Sequence, residues 1–372
     1  MKVLYITTLY LEKSNGISKK ILAQVEALRN NKLDTILCHY ARKGNTRYWA
    51  IDEKPLEKLG NKPQIVLRKI TNTYYNPILS YIKENNISFI YLRYNHNASP
   101  IFNSFLKKIK QLGVRIILEI PTYPYDGEYN TCNLRYKLHA RIERHYRKSL
   151  HKYIDRIVTF SNDNEIFDIP TLRISNAINL ANIPLRAEKP QHEYIRFTGV
   201  ANLNFWHGYD RLIEGMREYY AKAPAIKVLF DIVGDGVIKD ELEKLSKRYN
   251  LTPYIKFYGL LSGSELDDIF KDTDVCVGCL ACHRKDIKEV KSLKNIEYAA
   301  RGIPFIYSEN NDDFDNQSYI IKATPDETPI NIHKVIENLS TIEHTPKEIR
   351  NTILHLSWDT QMQNIADYIK SF

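Results

Sequence analysis

Two glutamates eight positions apart, Glu289 and Glu297, lie in the run Glu289-Val-Lys-Ser-Leu-Lys-Asn-Ile-Glu297-Tyr-Ala-Ala-Arg-Gly302-Ile-Pro304. A helix expected to begin near Ser292 leaves its first backbone N–H groups unpaired, and that positively polarised end seats an anion such as a diphosphate. Lys291 and Lys294 add charge at the same seat. Glu297, one turn into the helix, is placed to accept hydrogen bonds from ribose hydroxyls, and Glu289, just outside it, to grip a sugar. An ordinary amphipathic helix with solvated charges accounts for the same letters, so the segment alone leaves both readings open.

Other residues invite similar weighing. In Trp206-His207-Gly-Tyr-Asp-Arg211 a helix starting near Gly208 puts Arg211 one turn from His207, facing the same site. For His207 a capping or packing role competes with catalysis. The segment Glu119-Ile-Pro-Thr-Tyr-Pro-Tyr-Asp126-Gly-Glu128 follows an apolar run, as loops that line binding sites do. Asp126 or Glu119 is a base or binding group for an acceptor hydroxyl on one reading, and a helix cap on the other. Arg93-Tyr-Asn-His96 is a weaker candidate for the same wall. The series Cys276-x2-Cys279-x2-Cys282-His283 has metal-ligand spacing, but a fourth cysteine at the ferredoxin interval is missing and Cys276 falls inside an apolar strand. We read these as core cysteines and Asp272-Thr-Asp274 as capping, so no metal is expected.

The 372 residues carry a formal charge of +9. That sum hides a division: 31 basic and 16 acidic residues in 1–190, against 22 and 28 in 191–372. The basic excess concentrates in Tyr136–Lys152, where Lys137, Arg141, Arg144 and Lys148 recur at spacings of three and four. Such a face suits an anionic membrane surface or a polyprenyl diphosphate, and a solvated face is the alternative. Nucleic acid is a poorer partner, since no helix-turn-helix or aromatic RNA signature is found. No apolar run approaches the roughly 18 residues of a membrane span. Five cysteines make no disulfide scaffold, and Met1–Leu11 reads as a buried strand rather than a leader, which together point to the cytoplasm.

The elements that must position these groups alternate. Strands are expected at Val3–Thr7, Thr35–Tyr40, Gln64–Arg68, Phe89–Leu92, Arg115–Ile120 and Arg156–Phe160, then at Tyr194–Thr198, Lys227–Val233, Ile255–Tyr258, Val275–Val277 and Pro304–Tyr307. Helical patterns separate them, among them Ile17–Leu28, one opened by Ser99-Pro100, and one to Phe270 opened by a capping box at Ser262. Alternation with continuous apolar strands predicts an α/β protein of two Rossmann-like, doubly wound domains facing across a cleft. The expected domains are 1–185 and 194–356, joined by a linker over Leu180–Glu193, with a terminal helix in 357–372 packing back on the first.

The Glu-x7-Glu run resembles the corresponding region of GT-B glycosyltransferases, particularly the retaining glycosyltransferase family 4. Its variant Ser292-Leu-Lys-x-x-Glu297-Tyr-Ala-Ala-x-Gly302-x-Pro304 is similar to bacterial polysaccharide-type members. The Gly16 loop, Ser175-Asn176-Ala177-Ile178, Val233-Gly-Asp-Gly236 and Phe257-Tyr-Gly259-Leu-Leu follow in the family's order, so the resemblance spans nearly the whole chain. It implies a metal-independent transferase, without a cofactor, that moves a sugar from a UDP- or GDP-sugar to a glycan or polyprenyl-diphosphate-linked acceptor in capsule or lipopolysaccharide synthesis. The location implied is peripheral, on the inner face of the plasma membrane. Domain one would hold acceptor and domain two donor. Glu289 would contact the donor sugar, Glu297 the ribose, and Ser292, Leu293 and Lys294 the diphosphate. Gly16 and Gly234 would belong to the donor-binding loops, and Leu260 and Leu261 would frame the base. Where members usually place an Arg and a Lys against the diphosphate, this chain has Val200 and His207. Lys294, Arg211, Arg284 and Lys285 are the candidate replacements. A degenerate transferase kept as an assembly partner, or a GT-B epimerase, is the alternative.

Overall fold

The computed structural model describes residues 1–12, 16–126, 134–188 and 192–372, so Glu128 and the linker positions 189–191 lie outside the described residues. The chain forms two units, 1–175 with 358–372, and 176–357.

The first unit contains β1 (Lys2–Tyr10), α1 (Gly16–Asn30), β2 (Asp34–Lys43), β3 (Thr46–Ile51), β4 (Lys54–Gly60), α2 (Lys62–Ile70), α3 (Asn76–Glu84), β5 (Phe89–Arg93), α4 (Pro100–Gln111), β6 (Arg115–Ile120), α5 (Leu134–Arg147), β7 (Arg156–Thr159), β8 (Glu165–Ile166) and β9 (Ile169–Arg173). Its sheet runs β4-β3-β2-β1-β5-β6-β7-β9-β8. The strands from β2 through β7 to β9 pair in parallel, and hairpin strands β3, β4 and β8 pair antiparallel at the two edges. Val3–Ile6, Phe89–Leu92 and Ile116–Leu118 are buried on both faces, which is why these strands read as unbroken apolar runs. Ser99 caps α4 as expected, its hydroxyl accepting from Phe102 N at 3.3 Å.

One segment departs from expectation. Gln64–Arg68 is not a strand but the middle of α2. Asn61 and Gln64 form a reciprocal capping box, Gln64 N donating to Asn61 Oδ1 at 3.2 Å and Asn61 N to Gln64 Oε1 at 2.8 Å. Together with a proline in the first turn, that local start signal outweighs a short β-like run.

The second unit contains β10 (Tyr194–Val200), α6 (Tyr209–Tyr220), β11 (Lys227–Val233), α7 (Lys239–Arg248), β12 (Ile255–Gly259), α8 (Ser264–Lys271), β13 (Val275–Val277), α9 (Leu293–Ala300), β14 (Phe305–Tyr307), β15 (Ile320–Lys322), α10 (Ile332–Ser340) and α11 (Pro346–Asn351). Its sheet is wholly parallel in the order β12-β11-β10-β13-β14-β15. The capping box expected at Ser262 does not form: Gly263 is the N-cap of α8, at φ +57° and without a side-chain cap bond.

The first unit ends at Ser175 rather than at 185. Residues 176–188 are bonded into the second unit: Ile178 N donates to Leu356 O at 3.1 Å, Asn176 Nδ2 to Lys291 O at 2.6 Å, and the Arg186 guanidinium to Thr273 O. The chain returns to the first unit through α12 (Trp358–Lys370), where Asn30 Nδ2 and Asn31 Nδ2 of α1 donate to Asp359 Oδ1 and O at 3.0 and 2.9 Å. Met362, Ile365, Ala366 and Ile369 form its buried face.

Candidate functional site

The strand order of the second unit, counted within the unit, is 3-2-1-4-5-6 and reverses direction between β10 and β13. Open α/β sheets bind ligands at that switch point, outside the carboxyl ends of the strands, because the flanking loops splay apart there. The loops after β10, β11 and β12 are drawn together by backbone bonds. Ala201 N donates to Val233 O at 3.0 Å, Leu203 N to Asp235 O at 2.7 Å, and Gly234 N to Gly259 O at 2.6 Å. These approaches require glycine. A Cβ on Gly234, at φ +126°, would lie 1.8 Å from Ala201 O, and one on Gly236 would lie 2.3 Å from Leu203 O. The result is a cavity of about 800 Å³ lined by Val200, Ala201, Asn202, residues 233–237, Leu260 and Leu261. Leu260, 79% exposed, offers an apolar surface at its rim.

On the other side of the switch point stands α9. Ser292 is its N-cap in an extended conformation, but its hydroxyl makes no capping bond. The leading N–H groups are therefore left for a ligand or solvent. Glu297 Oε1 accepts from Arg301 Nε at 3.1 Å and Nη2 at 2.8 Å, which fixes the carboxylate and leaves Oε2 outside that pair. Glu289 is exposed. Its backbone runs beside Asn310, with Asn310 N donating to Lys288 O at 2.8 Å and Val290 N to Asn310 O at 3.1 Å. Glu289 thus sits at the carboxyl end of β14.

Lys294 Nζ is buried without a hydrogen-bond partner among the described residues, 5.9 Å from the Tyr209 ring centroid. His207 is buried as well, and accepts from Asn204 N at Nδ1 at 3.1 Å. Burial, with the neighbouring Lys294 ammonium, pushes its pKa down to about 3. The imidazole is therefore neutral, carries its proton on Nε2, and supplies no positive charge for a phosphate. Arg211 is buried too, but turned to backbone: Nε donates to Thr328 O at 3.0 Å, and Nη1 to Leu280 O. It braces the loop after β13 instead of facing the same site as His207. Arg284 is spent on Asp210 and Glu327 at 2.7 and 2.5 Å. Lys285 is exposed, its ammonium 4.4 Å from the Trp206 ring centroid.

In the first unit, Asp126 accepts from Arg147 at 2.8 Å and from Arg144 at 2.9 Å. The hydrogen bond from Arg147 holds its carboxyl down at about 2. A carboxylate so paired is a poor base. Glu119 is fully enclosed, accepting from Gln24 Nε2 at 2.9 Å, the Tyr91 hydroxyl at 2.7 Å and the Arg93 guanidinium. It ties α1, β5 and β6 together. Gly16 begins α1, and a Cβ there would meet nothing within 4 Å. Lys137, Arg141 and Lys148 are exposed, whereas Arg144 is engaged by Asp126.

A buried acid that sequence reasoning did not single out is Glu309. It lies two residues past β14, is 2% exposed, and neither carboxylate oxygen has a partner among the described residues. Burial and the nearby Cys279 raise its pKa to about 8. A carboxylate just beyond a strand's carboxyl end was the available signal. Asp274, by contrast, accepts from Arg196 N at 2.7 Å and is a backbone-capping acid. Among the described residues no helix is long and apolar enough to cross a membrane.

Residues 185–314 match the family model described as Glycosyl transferases group 1. No curated protein matches the chain by sequence. Solved structures resemble it over its full length. Sucrose-phosphate synthase from Thermosynechococcus elongatus is 14% identical, with 100% of this chain and 98% of that one covered and a TM-score of 0.65. HepE of Anabaena in complex with UDP is 12% identical, with 100% of both chains covered and a TM-score of 0.66. The lipopolysaccharide outer core galactosyltransferase WaaB is 14% identical, with 100% and 99% covered and a TM-score of 0.63. The fold is that of these GT-B glycosyltransferases.

Proposed function

We propose that the protein is a glycosyltransferase that moves a sugar from a UDP- or GDP-sugar to a glycan or lipid-linked glycan acceptor, with retention at the anomeric carbon, in cell-surface polysaccharide synthesis. The observation that carries this reading is a coincidence of position. The matched segment 185–314 contains the glycine-crowded cavity, the uncapped start of α9, Glu289 and Glu297. HepE structures with UDP and with UDP-glucose support a nucleotide-sugar donor, and WaaB supports a surface-glycan role.

In this reading the base stacks on Leu260 and Leu261, and the ribose hydroxyls donate to Glu297 Oε2. The backbone N–H groups around Ser292 and Leu293 hold the diphosphate. Charge builds on that group as the glycosidic bond breaks, and preorganised dipoles aimed there lower the barrier. With Arg211 and Arg284 committed elsewhere and Lys294 buried, the α9 terminus and Lys285 carry this load. Glu289 positions the donor sugar and offsets positive charge at its reacting carbon. The transfer uses no metal and no cofactor at the reacting centre. The first unit takes the acceptor, and the protein works at the inner face of the plasma membrane. Support for that location is α5, which exposes Lys137 and Arg141 beside Tyr136, Leu138 and Ile142, these last three 58%, 58% and 41% exposed.

A thermal-shift screen of UDP-, GDP-, ADP- and CMP-sugars tests the reading, because a ligand that binds only the folded chain raises Tm. At least one UDP- or GDP-sugar is expected to stabilise the protein and to be consumed with an acceptor present. If none does either, the assignment fails.

A further inference from the structure

We propose that Cys279, Cys282 and Glu309 form a site for one thiophilic divalent cation of the Zn²⁺ class, which clamps the loop after β13 to the end of β14. Their ligand atoms all lie within 4.8 Å of one another. The residues are 7%, 4% and 2% exposed, so the cluster belongs to the interior. Two sulfurs at Cys-x2-Cys spacing plus one carboxylate form a donor set that favours zinc, and three protein ligands leave one position open.

A second observation points the same way. Glu309 is almost wholly buried, yet both its oxygens lack a hydrogen-bond partner among the described residues, and the same holds for the Lys294 ammonium. Buried polar groups left in that state are costly. The simplest remedy within the protein, a Lys294–Glu309 ion pair, is not among the ion pairs of the described residues. Charge arithmetic explains the arrangement: two thiolates and a carboxylate are neutralised by a divalent cation together with one ammonium. The backbone is already drawn together there. Ser308 N donates to Cys279 O at 3.0 Å, Gly278 N to Ile306 O at 2.8 Å, and Leu280 N to His207 O at 2.9 Å. A cation would lock this part of the switch-point loop. The inference stands independently of the transferase reading, because its readout is metal binding by the chain and not sugar transfer.

The test uses the full chain, purified under reductant, stripped with chelator and titrated with Co²⁺. A thiolate-to-cobalt charge-transfer band saturating at one equivalent, with the intense visible bands of tetrahedral cobalt, is expected, and Zn²⁺ should displace it. Elemental analysis of protein as purified should find one zinc per chain. Cys279→Ser or Cys282→Ser should change the band, and Glu309→Gln should weaken Co²⁺ binding at least as much as loss of an outer-shell partner does, about 10-fold. Cys38→Ala, remote in β2, should leave the spectrum intact. Wild-type protein that binds no stoichiometric metal and gives no charge-transfer band overturns the site, whether or not any variant folds. A Cys279–Cys282 disulfide that, once reduced, still takes up no metal overturns it equally.

Discussion

Both sheets carry acids near the carboxyl ends of their strands, and the two units treat them in opposite ways. Among the described residues of the first unit, Glu119, Asp126 and Glu143 are each answered. Glu119 accepts from Gln24, Tyr91 and Arg93, Asp126 from Arg144 and Arg147, and Glu143 from Tyr94 at 2.6 Å and Tyr125 at 2.7 Å. In the second unit Glu297 has one oxygen held by Arg301, and Glu309 has none held among the described residues. Glu289 projects from an exposed position. An acid already paired with arginine is scaffold, since recruiting it for chemistry would break the pair. An acid left open at a switch point is where a ligand's hydroxyls or a cation can settle.

Glu289→Ala is expected to lower sugar transfer about 10²-fold or more without lowering Tm, an effect of the size seen when one preorganised transition-state contact is removed. Equal loss in Asp126→Asn would erase the contrast between the units. Next comes Gly234→Ala. Its Cβ would meet Ala201 O at 1.8 Å with φ at +126°, so denaturant unfolding should show a loss of about 2–3 kcal/mol, together with weaker nucleotide binding.

His207 sharpens the contrast through pH. Its folded pKa, about 3, lies below the ordinary value of 6.5, so the unfolded chain binds a proton that the native chain refuses. The stability His207 contributes is present above pH 6.5 and is lost as pH falls toward 3. Between those limits the slope is about 1.4 kcal/mol per pH unit. His207→Gln should flatten that slope in urea titrations at pH 4, 5 and 6; an unchanged slope would mean that the imidazole is not held neutral. The smallest effect is Asp126→Asn. Its pairs are partly exposed, and it should cost no more than about 1 kcal/mol in stability while activity stays within a few-fold of wild type.

Much of this was legible in the letters. Arg115–Ile120, Lys227–Val233 and Val275–Val277 match the observed strands residue for residue, because strands buried on both faces announce themselves as apolar runs. The start of α9 near Ser292 also matches, although the serine hydroxyl makes no capping bond. Side-chain direction was not. Spacing places Arg211 one turn from His207, but it cannot reveal that the guanidinium is claimed by the carbonyls of Leu280 and Thr328. Nor can it reveal that Lys294 turns inward, or that Glu309 folds back onto Cys279 and Cys282. Those outcomes depend on pairings between distant segments, and no local periodicity encodes them.

The most direct test of the central claim is photo-crosslinking with an azido-nucleotide sugar, followed by peptide mapping. Label is expected in the loops that line the cavity of the second unit, at 200–202, 233–237 or 260–261, competed away by unlabelled donor. Competable label confined to residues 1–175 would contradict that claim.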